Sequence, residues 1–219
     1  MSTTPKLSIE DLSISLGGTV ILERVECDIT SGVLGIYGPN GSGKSTLMRT
    51  IAGIYLPRSG RIQIAGHDLE QAPVLARQQL GYVPEHADLY PYITCRELCD
   101  TVGALRGDHS GGWKEQLAAV GLQGKEDMKL GTLSAGQQRK VTLLVALCGS
   151  PQVLLLDEPT KALDQQSLGF LNEIIQDWKD QQKLILLTSH LRTYLETYCA
   201  EYLILSNKHA TLSDTLPPV

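Results

Sequence analysis

The chain has 219 residues, of which 42% are hydrophobic and 20% charged, and a formal net charge of −5. That length suits one compact α/β domain with a small appendage, and the acidic balance argues against a nucleic-acid-binding surface. No charged-then-apolar leader and no apolar run long enough to span a bilayer is visible, so a cytoplasmic protein is expected, with any membrane role supplied by a partner chain.

Leu7, Ile9, Leu12, Ile14 and Leu16 fall into an alternating pattern, as do Val20, Leu22 and Val25. Gly17-Gly18 lies between the two runs, which predicts a pair of antiparallel strands joined by a turn. Val33–Tyr37 is a short apolar run expected to form a buried strand, and Leu47, Met48 and Ile51 follow at helical spacing. Between them stands Gly38-Pro39-Asn40-Gly41-Ser42-Gly43-Lys44-Ser45-Thr46. A glycine-rich turn between strand and helix gathers backbone N–H groups at the positive end of the helix, which suits a polyphosphate. Lys44 adds a cation able to reach the β- and γ-phosphates, and the Ser45 hydroxyl can ligate Mg²⁺.

Ile62-Gln63-Ile64 before Gly66-His67-Asp68 reads as a strand and turn, and Leu80–Val83 as a strand closed by Pro84. From about residue 91 to 150 the character changes. Leu98, Val102 and Leu105 keep a helical period, as do Trp113, Leu117 and Val120. The polar loop between them contains Arg106-Gly107-Asp108, a chance match to the adhesion tripeptide of secreted proteins. A further helix is expected after Ser134, with Val141, Leu144, Val145 and Cys148 on its apolar side. Ser134 suits an N-cap, and the small residues Ala135 and Gly136 would leave N–H groups open to an anion; an ordinary capped helix is the plainer alternative. This stretch is expected to be a helical subdomain inserted into an α/β core.

The core resumes with Val153–Leu156, a buried strand ending in Asp157 and Glu158. The first acid is placed to hold Mg²⁺ and the second to polarise a water against a γ-phosphate. A helix around 168–178, a strand at Lys183–Thr188 and a last strand at Tyr202–Leu205 complete the pattern, and the alternation implies a mainly parallel sheet. Cys27, Cys95, Cys99, Cys148 and Cys199 contain no C-x-x-C pair. They are expected to be buried small hydrophobes, neither a disulfide framework nor a metal site.

From about Leu7 to Leu205 the chain resembles an ATP-binding subunit of the ABC transporter family. Leu133-Ser134-Ala135-Gly136-Gln137 is similar to the family's signature sequence, Asp157-Glu158 to its carboxylate pair, Ala162-Leu163-Asp164 to the loop that meets the opposite subunit, and His190 to its switch histidine. The resemblance implies a phosphate-loop NTPase core with an N-terminal antiparallel β-subdomain, the whole chain 1–219 forming one ATP-binding domain. It implies ATP and Mg²⁺ as ligands and a head-to-tail, ATP-dependent dimer. ATP would rest on Gly38–Thr46 of one subunit and on Ser134–Gln137 and Asp164 of the other. Glu158, His190 and Lys44 would be catalytic, and Ser45, Glu85 and Asp157 would surround the metal. A separate integral membrane permease is implied as partner, with this chain peripheral on the cytoplasmic face and no nucleic acid expected. Export is favoured over import, and a soluble ATPase acting on nucleic acid or ribosomes is the rival class.

Five positions depart from the family's pattern. Leu16 stands where many relatives stack an aromatic residue on adenine, which predicts weaker base recognition. Glu85 replaces the commoner glutamine and adds a charge beside Asp157 and Glu158. Ala135 replaces the middle glycine of the signature, a change of one methyl group. Ala200-Glu201 replaces an acidic-basic pair, and nothing in the sequence explains it.

Overall fold

The computed structural model describes residues 6–86, 88–161 and 163–218. Two sheets form its frame. The first contains β1 (Leu7–Leu16), β2 (Thr19–Ile29), β4 (Ser59–Ile64) and β5 (His67–Asp68) in the order β2-β1-β4-β5, all antiparallel. The register of the first hairpin pairs Leu16 with Thr19 and Ser15 with Val20. Gly17 and Gly18 both have positive φ, 55° and 81°, as a tight two-residue hairpin turn requires. The alternating residues Leu7, Ile9, Leu12 and Ile14 are buried and seal this sheet to the core.

The second sheet has six strands in the order β10-β9-β3-β8-β7-β6. These are β3 (Gly32–Tyr37), β6 (Leu80–Val83), β7 (Val153–Asp157), β8 (Leu184–Thr188), β9 (Glu201–Ser206) and β10 (His209–Ser213). Every pair from β9 to β6 is parallel; β10 alone runs antiparallel to its neighbour. The expected mainly parallel sheet is therefore present. Every residue of β7 and β8 is buried, as strands covered on both faces must be. The chain crosses between strands through α1 (Lys44–Ile51), α2 (Pro73–Gln78), α6 (Gln165–Asp180) and α7 (Arg192–Tyr198). Leu47, Met48 and Ile51 of α1 are wholly buried against the sheet.

Between β6 and β7 stands the helical insertion, with α3 (Cys95–Leu105), α4 (Trp113–Gln116), a 3₁₀ turn at Leu130–Thr132 and α5 (Ala135–Leu147). It has its own core, built from Trp113, Leu117, Val120, Leu130, Val141 and Leu144 with Cys95, Cys99 and Cys148. All five cysteines are free and buried. The long helix α5 belongs to both units: Val141 and Leu144 face the insertion, while Leu143 and Ala146 join the core under the large sheet.

Three expectations need correction. Tyr202–Leu205 is not the last strand, because β10 pairs back on β9 through Ser206–His209. The period through Trp113, Leu117 and Val120 continues beyond regular helix, which ends at Gln116. The buried stripe of α3 is Cys95, Cys99 and Gly103, whereas Leu105 is 68% exposed. The reason is contact: the Gly103 Cα sits so near Asp108 that a Cβ there would approach the Asp108 carbonyl oxygen to 2.9 Å.

Candidate active site

The phosphate loop leaves β3 at Tyr37 and enters α1 at Lys44. Two of its glycines are fixed by space. A Cβ on Gly38 would lie 2.5 Å from the Leu205 carbonyl oxygen, and one on Gly43 would lie 2.8 Å from Ile21 Cγ2. Gly43 also has φ 102°, a left-handed conformation that L side chains rarely adopt. No side chain caps α1, so the first N–H groups of the helix remain available to a ligand. Lys44 Nζ donates to the carbonyls of Gly38 at 2.8 Å and Pro39 at 3.1 Å. Burial lowers its pKa, and Glu158, Asp157 and Glu85 oppose that shift.

A cleft of about 360 Å³ opens beside this loop. Asn40, Gly41, Gly43, Lys44, Ser45 and Thr46 line one side, and Glu85, Asp157, Glu158 and His190 the other. The phosphate loop, both predicted acids, Glu85 and the predicted histidine thus converge, although they come from four separate stretches of sequence.

The acidic side is held by a dense set of bonds. Thr188 Oγ1 donates to Asp157 Oδ1 at 2.7 Å and accepts from the Glu158 N–H at 2.9 Å. From beneath, the Arg139 guanidinium of α5 donates to the main-chain carbonyls of Asp157 (3.1 Å), Glu158 (2.9 Å), Pro84 and Glu85 (3.4 Å). Glu158 has φ 49°, a left-handed conformation costing a non-glycine residue on the order of 1–3 kcal/mol. The bonds to its N–H and C=O explain how that conformation persists. Its side chain receives the His190 N–H on Oε2 at 3.1 Å, with His190 Nε2 3.5 Å from Oε1. Burial raises the Glu158 pKa, with His190 pulling the other way. Asp157 Oδ2 and Glu158 Oε1 are buried without a hydrogen-bond partner. Buried acceptors of this kind call for a cation, a water or a donor.

Other predicted residues stand elsewhere. Ser134 caps α5 and forms a reciprocal capping box with Gln137, but none of Ser134, Ala135, Gly136 or Gln137 lines the cleft of its own chain. Asp164 caps α6 by accepting from the Ser167 N–H at 2.9 Å, and its other oxygen accepts from Lys140 Nζ at 2.7 Å. The lysine bond first, then Ser167, holds the Asp164 carboxyl well below the usual range. Ala162 lies outside the described residues. Leu16, 36% exposed, ends the first hairpin and does not line the cleft; Ile21 does.

Arg139, Thr188, Ile21 and Lys161 were not anticipated as part of the site. Thr188 ends the strand expected at Lys183–Thr188, two residues before His190, and Arg139 lies two residues past Gln137. Nothing local in the sequence pointed to Ile21 or to Lys161, whose ammonium reaches Glu85 Oε1 at 3.0 Å across 76 positions.

Residues 22–161 match the family model described as "ABC transporter". The chain is 34% identical over 198 residues to "Nod factor export ATP-binding protein I" of Sinorhizobium fredii (strain NBRC 101917 / NGR234), covering 88% of this chain and 58% of that protein. It is 30% identical over 198 residues to "Linearmycin resistance ATP-binding protein LnrL" of Bacillus subtilis (strain 168), covering 88% and 64%. The chain thus spans less than two thirds of the length of either relative. A solved structure described as "Structure of ATP binding subunit of ABC transporter" superposes with a TM-score of 0.88 at 29% identity, covering 95% of this chain and 89% of that one.

Proposed function

The chain belongs to the ABC transporter family, and from that premise we propose that it binds and hydrolyses ATP to power a separate membrane permease in export. The observation that carries this reading is the single cleft joining Lys44, Ser45, Asp157, Glu158 and His190. Export rests on the names of the two relatives, one an export protein and the other a resistance protein.

The substrate is Mg·ATP. Its phosphates suit the open N–H groups of the loop and α1, with the Lys44 ammonium as the mobile counter-charge. The unpartnered Asp157 Oδ2 and the Ser45 hydroxyl fit the substrate's magnesium. Among the described residues no group of three or more His, Cys, Asp or Glu could hold a metal alone. That agrees with an ion that keeps phosphate oxygens and water in its shell. Glu158, whose Oε1 has no hydrogen-bond partner of its own, accepts the proton of the attacking water. His190, bonded to Glu158 through its own N–H, positions water and γ-phosphate.

The signature residues Ser134–Gln137 lie away from the chain's own cleft and are only partly covered. We assign them to the ATP of a second subunit in a head-to-tail dimer, where the positive end of α5 meets the phosphate. A dimer would close one cleft with the other's helix, so a lone subunit would lack a complete site. Among the described residues no helix is long and apolar enough to cross a membrane; in this reading the permease supplies the membrane-spanning part. Exposed Tyr90 and Tyr92, in the stretch leading into α3, supply apolar surface for that contact.

The test is direct. The purified protein should release phosphate from Mg·ATP and co-fractionate with a polytopic membrane partner. Absence of hydrolysis with and without that partner overturns the reading. Recovery with ribosomes or nucleic acid instead moves the same site to the soluble class.

The base pocket gives a separate expectation. Leu16 offers the purine apolar cover but no ring to stack on, and aromatic contact is worth roughly 0.5–1.5 kcal/mol beyond area burial. Leu16→Tyr should tighten ATP binding by up to about tenfold, and the parent should bind GTP almost as well as ATP. Titrating both nucleotides against parent and variant decides it. A strong ATP preference in the parent, unchanged in the variant, places the base elsewhere, with Ile21 as the nearest candidate.

A further inference from the structure

Three carboxylates, Glu85, Asp157 and Glu158, line the cleft against one ammonium, Lys44. Such a balance is unfavourable for a strongly anionic ligand, because each unpaired carboxylate repels phosphate oxygens across a partly dry space. Glu85 is the member whose charge the fold treats separately. It sits after β6 with its side chain 27% exposed, and its Oε1 accepts from Lys161 Nζ at 3.0 Å. His86 Nε2 lies 3.5 Å from the same oxygen. Lys161 is not free to wander, since its own N–H donates to the Glu158 carbonyl at 3.3 Å. That carbonyl is the one that Arg139 also holds at 2.9 Å.

The segments 84–86 and 157–161 are therefore tied at two levels. Arg139 joins their main chains from below, through Pro84, Glu85, Asp157 and Glu158. Lys161 joins them again through side chains at the rim. The lower tie is buried and fixes the backbone. The upper one is exposed enough to be exchanged, since the Lys161 side chain is 56% accessible.

We propose that Lys161 is a positioning residue for nucleotide: by pairing with Glu85 it holds that carboxylate at the rim and cancels its charge, so that a triphosphate can settle against Lys44. Lys161 does not line the cleft and touches no reacting atom; it acts through Glu85. The inference rests on the ATP-binding reading above and deepens it by naming what makes a third carboxylate compatible with that ligand. It also predicts dependence on ligand charge. Magnesium neutralises part of the triphosphate, so the contribution of Lys161 should be larger for free ATP than for Mg·ATP.

The test is a double-mutant cycle on the full chain, with a fluorescent N-methylanthraniloyl ATP as probe, titrated in EDTA and in Mg²⁺. Lys161→Ala should weaken binding roughly two- to fivefold in EDTA, the range expected of an exposed ion pair, and by less in Mg²⁺. Lys161→Arg should keep parental affinity. In a Glu85→Gln background the Lys161→Ala penalty should largely vanish, because the charge it balanced is gone. A thermal midpoint for each variant without nucleotide separates charge balance from a folding defect, which would not be rescued by Glu85→Gln. Parental binding by Lys161→Ala overturns the proposal, as does an equal penalty with and without Glu85. A parent that binds no nucleotide overturns the ATPase reading itself, so the two failures are distinguishable.

Discussion

Lys44→Ala should reduce ATP hydrolysis to background. Among the described residues Lys44 is the one ammonium lining the cleft, and it rests on two loop carbonyls 2.8 and 3.1 Å away. Those are neutral partners, so a phosphate oxygen competes well for the same donor through a charge-assisted bond. Removing a preorganised charge from a site where negative charge develops costs on the order of 10²–10³ in kcat, and loss of ground-state binding adds to this. Nucleotide affinity should therefore fall together with turnover, measurable by phosphate release and by titration with ATP. The backbone of the loop should survive, because its shape is fixed by Gly38 and Gly43 and by α1, none of which needs the ammonium. Near-parental hydrolysis in this variant removes the loop from the chemistry.

Glu158→Gln should separate binding from turnover. The amide keeps the size of the side chain and an oxygen to receive the His190 N–H, but it cannot accept a proton from water. General-base loss costs on the order of 10²–10⁴ in rate, while ATP affinity should hold or improve as a negative charge leaves the cleft. The variant should then accumulate as an ATP-bound dimer in size-exclusion chromatography. A variant that stays monomeric yet hydrolyses normally contradicts the role.

The parent's pH profile carries the same signature. Burial lifts the Glu158 pKa above the ordinary 4.5, and only the carboxylate is a base. The acid limb of kcat/KM should lie above pH 4.5, with activity lost as pH falls through it, and Glu158→Gln should lack that limb. The linked effect on stability has the opposite sense. Between 4.5 and the raised value the folded state holds more protons than the unfolded one, so this group's contribution declines as pH rises through that window.

Much of this architecture was legible where chemistry and period coincide. The loop Gly38–Thr46 could be placed because its glycines, lysine and hydroxyls sit between a buried strand and an amphipathic helix. Asp157 and Glu158 stood out because four buried apolar residues lead into them. Strand β10 is hard to read from sequence because His209–Ser213 is short and largely exposed, with only Ala210 and Leu212 as its apolar residues; its partner β9 supplies the order. In α3 the expected Leu98 and Val102 do pack on the insertion core, but its fully buried positions are Cys95, Cys99 and Gly103, and Leu105 faces solvent. What holds Glu158 in place was beyond local reading altogether. Arg139 acts through main-chain carbonyls at positions 84, 85, 157 and 158, and Lys161 through a glutamate 76 residues away. Carbonyls carry no sequence signal, and a surface lysine looks like any other.

The tripeptide Arg106-Gly107-Asp108 proves to be an internal fastening. The Arg106 guanidinium donates to the carbonyls of Val145, Ala146 and Cys148 at the end of α5, and to that of Leu80 at the start of β6. With Arg139 near the other end, α5 is pinned to the large sheet at both extremities, whereas Trp113 of α4 packs in the insertion's core. The helical insertion should therefore divide in hydrogen exchange. Amides of α5 should be released only with the strands β6 and β7, close to global unfolding, while those of α4 and residues 109–112 exchange through cheaper local openings. In that sense α5 is slow-exchanging scaffold that the catalytic strand shares with its signature end, and a subunit can lose order in half of its insertion without misplacing Glu158.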